Sequence, residues 1–248
     1  MHAVKTPVSL IGLSLSLAVF VAACGQSGNN DAAEKSAAPA ATAAVATQVE
    51  ALPESAEGMA RAFLKELVEI DTTQSTGSTT VAAEAMARHL RTAGFDDADI
   101  NILGPTPNRG NLVVRYRGRD SGRKALLLLA HIDVVEADPA DWTMDPFTFV
   151  EEDGYFYGRG TTDDKDEAAI HIANLIRMKR EGFQPDRDII VALTADEESG
   201  DHNGVAWLLE HHPELVDAEY ALNEGGGGAR KDGVRVFNGV QASEKVFQ

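Results

Sequence analysis

Two almost continuously apolar runs, residues 125–130 (ALLLLA) and 189–195 (IIVALTA), are the feature that most constrains how this chain can fold. A run that is apolar at nearly every position is typical of a strand buried on both faces, as in the centre of a parallel sheet. Between the runs, residues 167–182 carry apolar side chains at three- and four-residue spacing and predict a helix. This order predicts an α/β fold: a mainly parallel sheet with right-handed crossovers, flanked by helices.

The same two patterns recur in other segments of the chain. Helical spacing predicts helices over 58–70, 79–94 and 204–212, with Gly94 as the C-cap of the second. Short β-rich runs predict strands within 111–118 and 218–228, the latter leading into a glycine-rich loop. The sequence therefore predicts one folded domain over residues 56–248.

The first 24 residues have the layout of an export signal. Lys5 precedes an apolar run over 8–23, and small residues lead up to Cys24 in VAAC. A membrane-spanning helix is the competing interpretation, but the run is near the lower length limit for a bilayer and contains three serines. VAAC resembles the lipobox of bacterial lipoproteins, which implies that Cys24 is lipidated. The glycine that follows resembles the pattern for outer-membrane retention, so we expect a lipid-anchored protein of the cell envelope that faces the periplasm.

Residues 25–55 consist mainly of Ala, Ser, Asn, Thr and Pro. Such a segment buries too little apolar surface to offset its ordering entropy, so it predicts a flexible tether. The net charge of the whole chain is −17, which would repel a phosphate backbone. We therefore expect no nucleic-acid partner.

Acidic and imidazole side chains follow the predicted strands, and one acid stands at the start of a predicted helix. In chain order these candidate site residues are His131, Asp133, Asp163, Glu197, Glu198 and Glu224. Helix capping accounts for one acid near a helix start, but not for acids that follow three separate strands. Because ligand sites in open α/β sheets lie outside the carboxyl ends of the strands, these residues predict one shared site.

The residue types at this predicted site favour a hard or borderline divalent cation. Imidazole and carboxylates without thiolates make zinc the first candidate, with cobalt and manganese as alternatives. Carboxylates gathered at one edge would repel each other unless cations lay between them. Four or five ligands fit two ions that share a bridging carboxylate better than they fit one ion.

Four motifs stand in an order that matches a known family: HIDVV (131–135), GRGTTDDK (158–165), TADEESG (194–200) and NEG (223–225). From about residue 57 to its end, the chain resembles the catalytic domain of the M20 family of metallopeptidases. That family includes carboxypeptidases, aminoacylases and succinyl-diaminopimelate desuccinylases. The resemblance implies a zinc-peptidase-like domain that cleaves amide bonds of small peptides or N-acyl amino acids with metal-activated water at two zinc ions.

The resemblance also implies a role for each matched residue. His131 and Glu224 match ligands of the first ion, Glu198 matches a ligand of the second, and Asp163 matches the carboxylate that bridges both ions. Two residues match catalytic roles: Glu197 as the general base, and Asp133 as the acid that orients His131.

Residues near these matches have supporting roles. Asp133 stands two positions after His131, so its carboxylate could hold the second N–H of the ring. The family implies a cis peptide bond after Asp163, and we expect Asp164 and Lys165 to support the site rather than to bind metal.

The family pattern includes parts that the chain does not show. A lid and dimerisation domain, and a final histidine for the second ion, would follow the NEG motif, whereas the chain ends at Gln248. Asp166 also stands where the family usually has glycine. We therefore expect the N-terminal part of such an enzyme, with a homodimer only in a longer form that has the lid.

Two other functions compete with a metal-dependent amide hydrolase. One is a catalytically inactive, metal-binding remnant on the cell envelope. The other is a two-metal phosphoesterase, which the motif order disfavours and for which Arg159 is the single candidate clamp.

Some further residues have structural explanations. The four remaining histidines of the domain's second half fit helix packing or surface positions better than metal binding; these are His171, His202, His211 and His212. Trp142 and Phe147 fit either a substrate pocket or the core.

Overall fold

The computed structural model describes residues 51–120, 122–225 and 227–239, all within a unit that spans Val49–Gln248. The predicted signal peptide, its Cys24, and the predicted tether as far as residue 50 lie outside these residues. In the described part of the chain, no helix is both long and apolar enough to cross a membrane.

The described residues form five helices and nine strands. The helices are α1 (Ala56–Val68), α2 (Thr79–Thr92), α3 (Lys165–Arg180), α4 (Gly204–His211) and α5 (Pro213–Val216). The strands are β1 (Ile100–Leu103), β2 (Asn111–Tyr116), β3 (Ala125–His131), β4 (Val150–Glu152), β5 (Tyr155–Tyr157), β6 (Ile189–Thr194), β7 (Ala218–Leu222), β8 (Gly227–Lys231) and β9 (Val234–Gly239). Every helix and strand that the sequence predicts is present, and α5, β1 and the hairpins β4–β5 and β8–β9 are additions.

Local sequence signals set the ends of the helices. The Ser55 hydroxyl accepts a hydrogen bond from the Gly58 N–H (3.0 Å) and so caps the start of α1. Asn203 caps α4 in the same way through the Ala206 N–H (3.0 Å). Gly94 has a φ of +85° just after α2, which is the left-handed conformation that favours glycine after a helix.

The central sheet has five strands in the order β1-β2-β6-β3-β7. The strands β6, β3 and β7 pair in parallel, whereas β1–β2 and β2–β6 pair antiparallel. Residues 104–110 join β1 to β2, and so short a connection permits only an antiparallel pair, because a parallel pair needs a crossover of about a dozen residues or more. The α/β class is thus confirmed, with a mixed sheet that is parallel around β3 and antiparallel at β1 and β2.

Helices cover both faces of this sheet. In β6, Val191 and Leu193 face a core formed mainly with α1, α2 and α3, while Ile190 and Ala192 face a smaller core with α4 and α5. All six residues of β6 are buried, which explains why the sequence there is apolar at nearly every position.

A substitution in β6 should show how strongly this packing stabilises the domain. Leu193 is 0% exposed, so Leu193→Ala should lower the free energy of unfolding by about 2–5 kcal/mol, through lost burial and a cavity. Urea unfolding followed by circular dichroism measures this change. Val81→Ala on α2 is the control, because Val81 is 49% exposed and should change the free energy by less than about 0.5 kcal/mol. Equal losses in both variants would contradict the assignment of Leu193 to the core.

Candidate metal centre

His131 is the last residue of β3 and lies opposite Thr194, the last residue of β6. Its side chain is buried, and two contacts fix it. The backbone N–H of His131 donates to Asp164 Oδ2 (3.1 Å), and the ring Nδ1 lies 3.1 Å from the backbone oxygen of Asp133. The ring therefore directs Nε2 toward Asp163, whose Oδ1 is 2.9 Å away.

Asp133 supports the centre differently from the prediction. Its carboxylate Oδ1 lies 3.6 Å from Nδ1 of His131, beyond hydrogen-bond distance, so the backbone carbonyl of Asp133 holds the ring instead. The two carboxylate oxygens accept hydrogen bonds from the backbone N–H groups of Glu197 (3.1 Å) and Glu198 (3.0 Å). The reason is geometric: Asp133 lies past the end of β3, next to the turn that follows β6. One residue therefore links the imidazole to both glutamates.

His131 belongs to two groups of three side chains that could each hold a metal ion. His131, Asp163 and Glu198 form one group, and His131, Glu197 and Glu224 form the other; within each group the ligand atoms lie within 4.8 Å of one another. Nε2 of His131 is 2.9 Å from Asp163 Oδ1 and 3.9 Å from Glu224 Oε1. The structure thus brings all five side chains together at the carboxyl edge of β3, β6 and β7.

The implied first-ion set of His131, Asp163 and Glu224 does not form a single group among the described residues. Asp163 lies with Glu198, and Glu224 lies with Glu197. Like charges repel one another, so the carboxylates do not all gather in one group, and each group shares the imidazole. The motifs identify the members of the centre, whereas their partition depends on tertiary contacts.

Asp164 and Lys165 are supporting residues, as expected. The peptide bond between Asp163 and Asp164 is cis. Asp164 is 2% exposed and accepts the backbone N–H of His131, while the ammonium of Lys165 donates to the carbonyls of Leu67 (2.8 Å) and Ile70 (2.9 Å). These contacts fasten the start of α3, and with it Asp163, to the end of α1 and to β3.

The charges of the centre perturb its own ionisation. Burial alone would lower the pKa of His131, but the Asp133 carboxylate and the charge of Asp164 outweigh burial and raise this pKa to about 10. Burial raises the pKa of Asp164 to about 8, and the charge of Glu167 acts in the same direction. Burial also raises the pKa of Glu198 and of Glu224, and in both the negative charge of Asp163 adds to the effect.

This donor set fits a divalent cation. It offers one imidazole nitrogen and four carboxylates within a few ångströms, which are the ligand types that zinc accepts. Burial is the largest cause of the raised pKa values of Glu198 and Glu224, and the like charge of Asp163 adds to it; a cation would offset this repulsion. The residues present therefore fit the metal that the sequence predicts.

Residues that the sequence analysis missed hold the turn after β6, which carries Glu197 and Glu198. Asn111, at the start of β2, is fully buried; its Oδ1 accepts the Ala195 N–H (2.9 Å) and its Nδ2 donates to the Leu103 carbonyl (3.1 Å). A polar residue at the start of an apolar strand is a weak signal for such a role. Arg109 and Asp196 form a second unforeseen contact, a buried ion pair.

The other singled-out residues lie outside the two groups. Among the described residues, neither group includes His171, His202, His211 or His212, in agreement with their structural interpretation. Trp142 and Phe147 help to line an open cavity of about 430 Å³, and the guanidinium of Arg159 lies 5.2 Å from the centre of the Trp142 ring. Asp166 lies in the first turn of α3, and one of its carboxylate oxygens is buried without a hydrogen-bond partner in the described part of the chain.

Known proteins share both the sequence and the fold of this region. Residues 127–242 match the sequence profile of peptidase family M20/M25/M40. The N-fatty-acyl-amino acid synthase/hydrolase PM20D1 of Xenopus tropicalis is 38% identical over 112 residues, which cover 45% of this chain and 22% of that protein. The Beta-Ala-Xaa dipeptidase of Lactobacillus delbrueckii subsp. lactis is 33% identical over 178 residues, which cover 65% of this chain and 35% of that protein.

Among solved structures, the M20 family metallo-carboxypeptidase Sso-CP2 of Sulfolobus solfataricus has the same fold, with a TM-score of 0.57 and 20% identity. The match covers 68% of this chain and 37% of Sso-CP2. The chain thus spans well under half the length of each of these proteins. Both named sequence relatives are enzymes, so they give no support to a catalytically inactive remnant.

Proposed function

We propose that this chain belongs to peptidase family M20/M25/M40, whose profile matches residues 127–242, and that it is part of a metal-dependent hydrolase that cleaves amide bonds in small peptides or N-acyl amino acids. The observation that carries this proposal is the pair of ligand groups that share His131, at the carboxyl ends of the strands, where α/β proteins bind their ligands. Zinc is the proposed ion, because imidazole and carboxylates are its ligands in hydrolases.

The mechanism assigns binding and proton transfer to different residues. His131, Asp163, Glu198 and Glu224 would hold the metal, which when bound polarises an amide carbonyl and lowers the pKa of water. Glu197 takes the proton from the attacking water and gives it to the leaving nitrogen. Asp133 fixes the backbone N–H groups of Glu197 and Glu198, so the base and the ligand keep a constant spacing.

The assignment of Glu197 as the base and Glu198 as a metal ligand rests on the sequence motif and on the positions of the two side chains. The side chains of Glu197 and Glu198 are adjacent in sequence but join different groups around His131. One of them can therefore bind metal while the other remains free to accept a proton.

A release assay tests the proposed function. Dipeptides and N-acyl amino acids would be incubated with zinc and either the 248-residue chain or a longer form that carries further family segments, and free amino acid would be measured. We expect zinc-dependent release that a chelator abolishes. A phosphate ester serves as the control substrate, since a two-metal phosphoesterase would cleave it instead. Absence of amide hydrolysis by both forms would reject the proposal.

The location of the protein is a separate proposal. The N-terminal pattern that ends at Cys24 supports lipidation and attachment to the bacterial cell envelope. Cells that express the chain should incorporate a labelled fatty acid into it, and Cys24→Ser should remove the label. Equal label on both proteins, or no label on the wild type, would contradict a lipid anchor at Cys24.

A further inference from the structure

The turn that follows β6 delivers Glu197 and Glu198 to the metal centre, and each of its residues is held by a separate contact. The Ala195 N–H donates to Asn111 Oδ1 (2.9 Å), and the Ala195 carbonyl accepts the Gly204 N–H (2.7 Å). The carboxylate of Asp133 accepts the N–H groups of the two glutamates. Asp196 stands between these fixed points, so its conformation sets the direction in which the glutamates leave the strand.

Asp196 has an unusual backbone conformation for a residue with a side chain. Its φ is +54°, in the left-handed region, where Asp and Asn are tolerated better than most residues. Its carboxylate is 3% exposed and belongs to neither metal-ligand group in the described residues. A Cβ on Gly200 would lie 2.7 Å from Asp196 Oδ2, so the glycine permits close packing against this carboxylate. The turn is therefore built around Asp196 and does not use it as a ligand.

Arg109 is the partner that holds Asp196. Nε of Arg109 lies 3.0 Å from Asp196 Oδ1, and the side chain of Arg109 is 9% exposed. Its other nitrogens bind three backbone carbonyls: Nη1 donates to Gly77 and Asn108 (3.2 Å each), and Nη2 donates to Gln74 (2.5 Å). All three nitrogens of the planar guanidinium thus have a partner. The rigid group therefore fixes Asp196 relative to the loop that contains Gln74 and Gly77 and to the loop that contains Asn108.

From these contacts we propose that Arg109 is a positioning residue for the metal centre: through its ion pair with Asp196 it holds the turn that brings Glu197 and Glu198 into the two ligand groups that share His131. The inference rests on the proposed function and deepens it. A buried ion pair contributes little net stability compared with apolar residues of similar volume, so stability alone does not account for this pair.

Three variants separate positioning from general stability. Arg109→Met removes the fork and leaves the Asp196 carboxylate buried without its partner. Arg109→Met with Asp196→Asn removes both charges and keeps a residue that tolerates positive φ. Arg109→Lys keeps the charge but loses the fork, because an ammonium cannot reproduce the planar set of donors.

Arg115 offers a matched control. It lies on β2 and pairs with Asp188 at 3.0 Å, next to the start of β6 and hence at the opposite edge of the sheet from the metal centre. Arg115→Met removes a partly buried ion pair between β2 and the residue just before β6, whereas the Arg109 pair joins residues just before β2 and just after β6. It should lower the melting temperature without changing zinc affinity.

The measurements are the zinc dissociation constant by calorimetry and the melting temperature of the zinc-free 248-residue chain. Loss of groups that orient metal ligands typically weakens metal binding 10- to 100-fold, so both Arg109→Met and the double variant should bind zinc at least about 10-fold more weakly. The double variant should recover the melting temperature that Arg109→Met loses, but not the zinc affinity. Arg109→Lys should bind zinc with an intermediate constant.

Wild-type zinc affinity in the double variant would overturn the inference, because Arg109 would then serve stability alone. If Arg109→Met does not fold, the double and Arg109→Lys variants decide the question. A wild-type 248-residue chain that binds no zinc would contradict the proposed metal centre in this chain and overturn this inference with it, and the release assay on the longer form would then decide the proposed function. Zinc binding by the wild type with unchanged affinity in all the Arg109 variants would remove the inference only.

Discussion

Glu197→Gln should bind zinc as the wild type does and lose about 10²–10⁴-fold in turnover, in whichever form of the protein hydrolyses amides. The amide is nearly isosteric with the carboxylate but cannot accept a proton from water. The Glu197 N–H that donates to Asp133 is a backbone group, so the substitution leaves this contact in place. Steady-state kinetics with a dipeptide, together with calorimetric zinc titration, gives both quantities.

The control for this variant is Glu210→Gln. Glu210 is an exposed residue of α4 and lies outside both ligand groups, so turnover should not change. Loss of zinc from Glu197→Gln would show that Glu197 is a ligand, as its place beside His131 and Glu224 allows. Full activity in Glu197→Gln would exclude Glu197 as the base.

His131→Ala should abolish tight zinc binding, whereas Glu198→Ala should largely preserve it. His131 is the common member of both ligand groups, so its loss leaves only carboxylates in each group. Glu198→Ala leaves His131 with Asp163 and Glu224, whose carboxylate oxygens lie 2.9 Å and 3.9 Å from its Nε2. Since one imidazole nitrogen coordinates one ion at a time, we also expect the 248-residue chain to bind about one zinc tightly. Metal analysis after dialysis measures the stoichiometry, and calorimetry measures the affinity.

His211→Ala is the matched control for the loss of an imidazole. His211 is exposed, lies on α4 and is stacked on Trp207, so its removal should leave zinc binding intact. Two tightly held ions per chain would mean that a further residue completes a second site. Retained tight binding in His131→Ala would contradict the central place of this histidine.

The parts of the fold that were predictable are those whose sequence is dominated by burial. All of β6 and most of β3 are buried, and their apolar runs identify them as strands without any knowledge of their partners. The strand β1 escaped prediction because its four residues, Ile100–Leu103, are too few to show a period. The antiparallel pairing of β2 with β6 also depends on tertiary structure, because the sequence of β2 alone does not favour a parallel or an antiparallel partner.

The residues of the candidate site also fall into those that the sequence predicts and those that depend on tertiary contacts. His131, Asp163 and Glu224 were predictable because each stands at a strand end or helix start, and such ends converge in an α/β sheet. The role of the Asp133 carboxylate was not, because its choice between the imidazole and the glutamate N–H groups depends on how β3 meets the turn after β6. Arg109 was hidden for a similar reason: its partner, Asp196, lies far along the chain, and no spacing rule connects them.

The ends of the strands farthest from the metal centre offer a site for attaching a probe. There the loop after β2 meets the loop before β6, through hydrogen bonds from the Arg119 and Asp120 N–H groups to the carbonyls of Pro185 and Asp186. Gly182 lies in the same connection; a Cβ at this glycine would have no neighbouring atom within 4 Å, but its φ of +67° favours glycine, so an insertion there should keep it. Exposed loop tips of this kind tolerate inserted sequence best. A fluorescent reporter or an affinity handle inserted next to Gly182 would therefore lie at the ends of the strands farthest from the metal centre. This turn is thus the place to attach the domain to a surface or a probe.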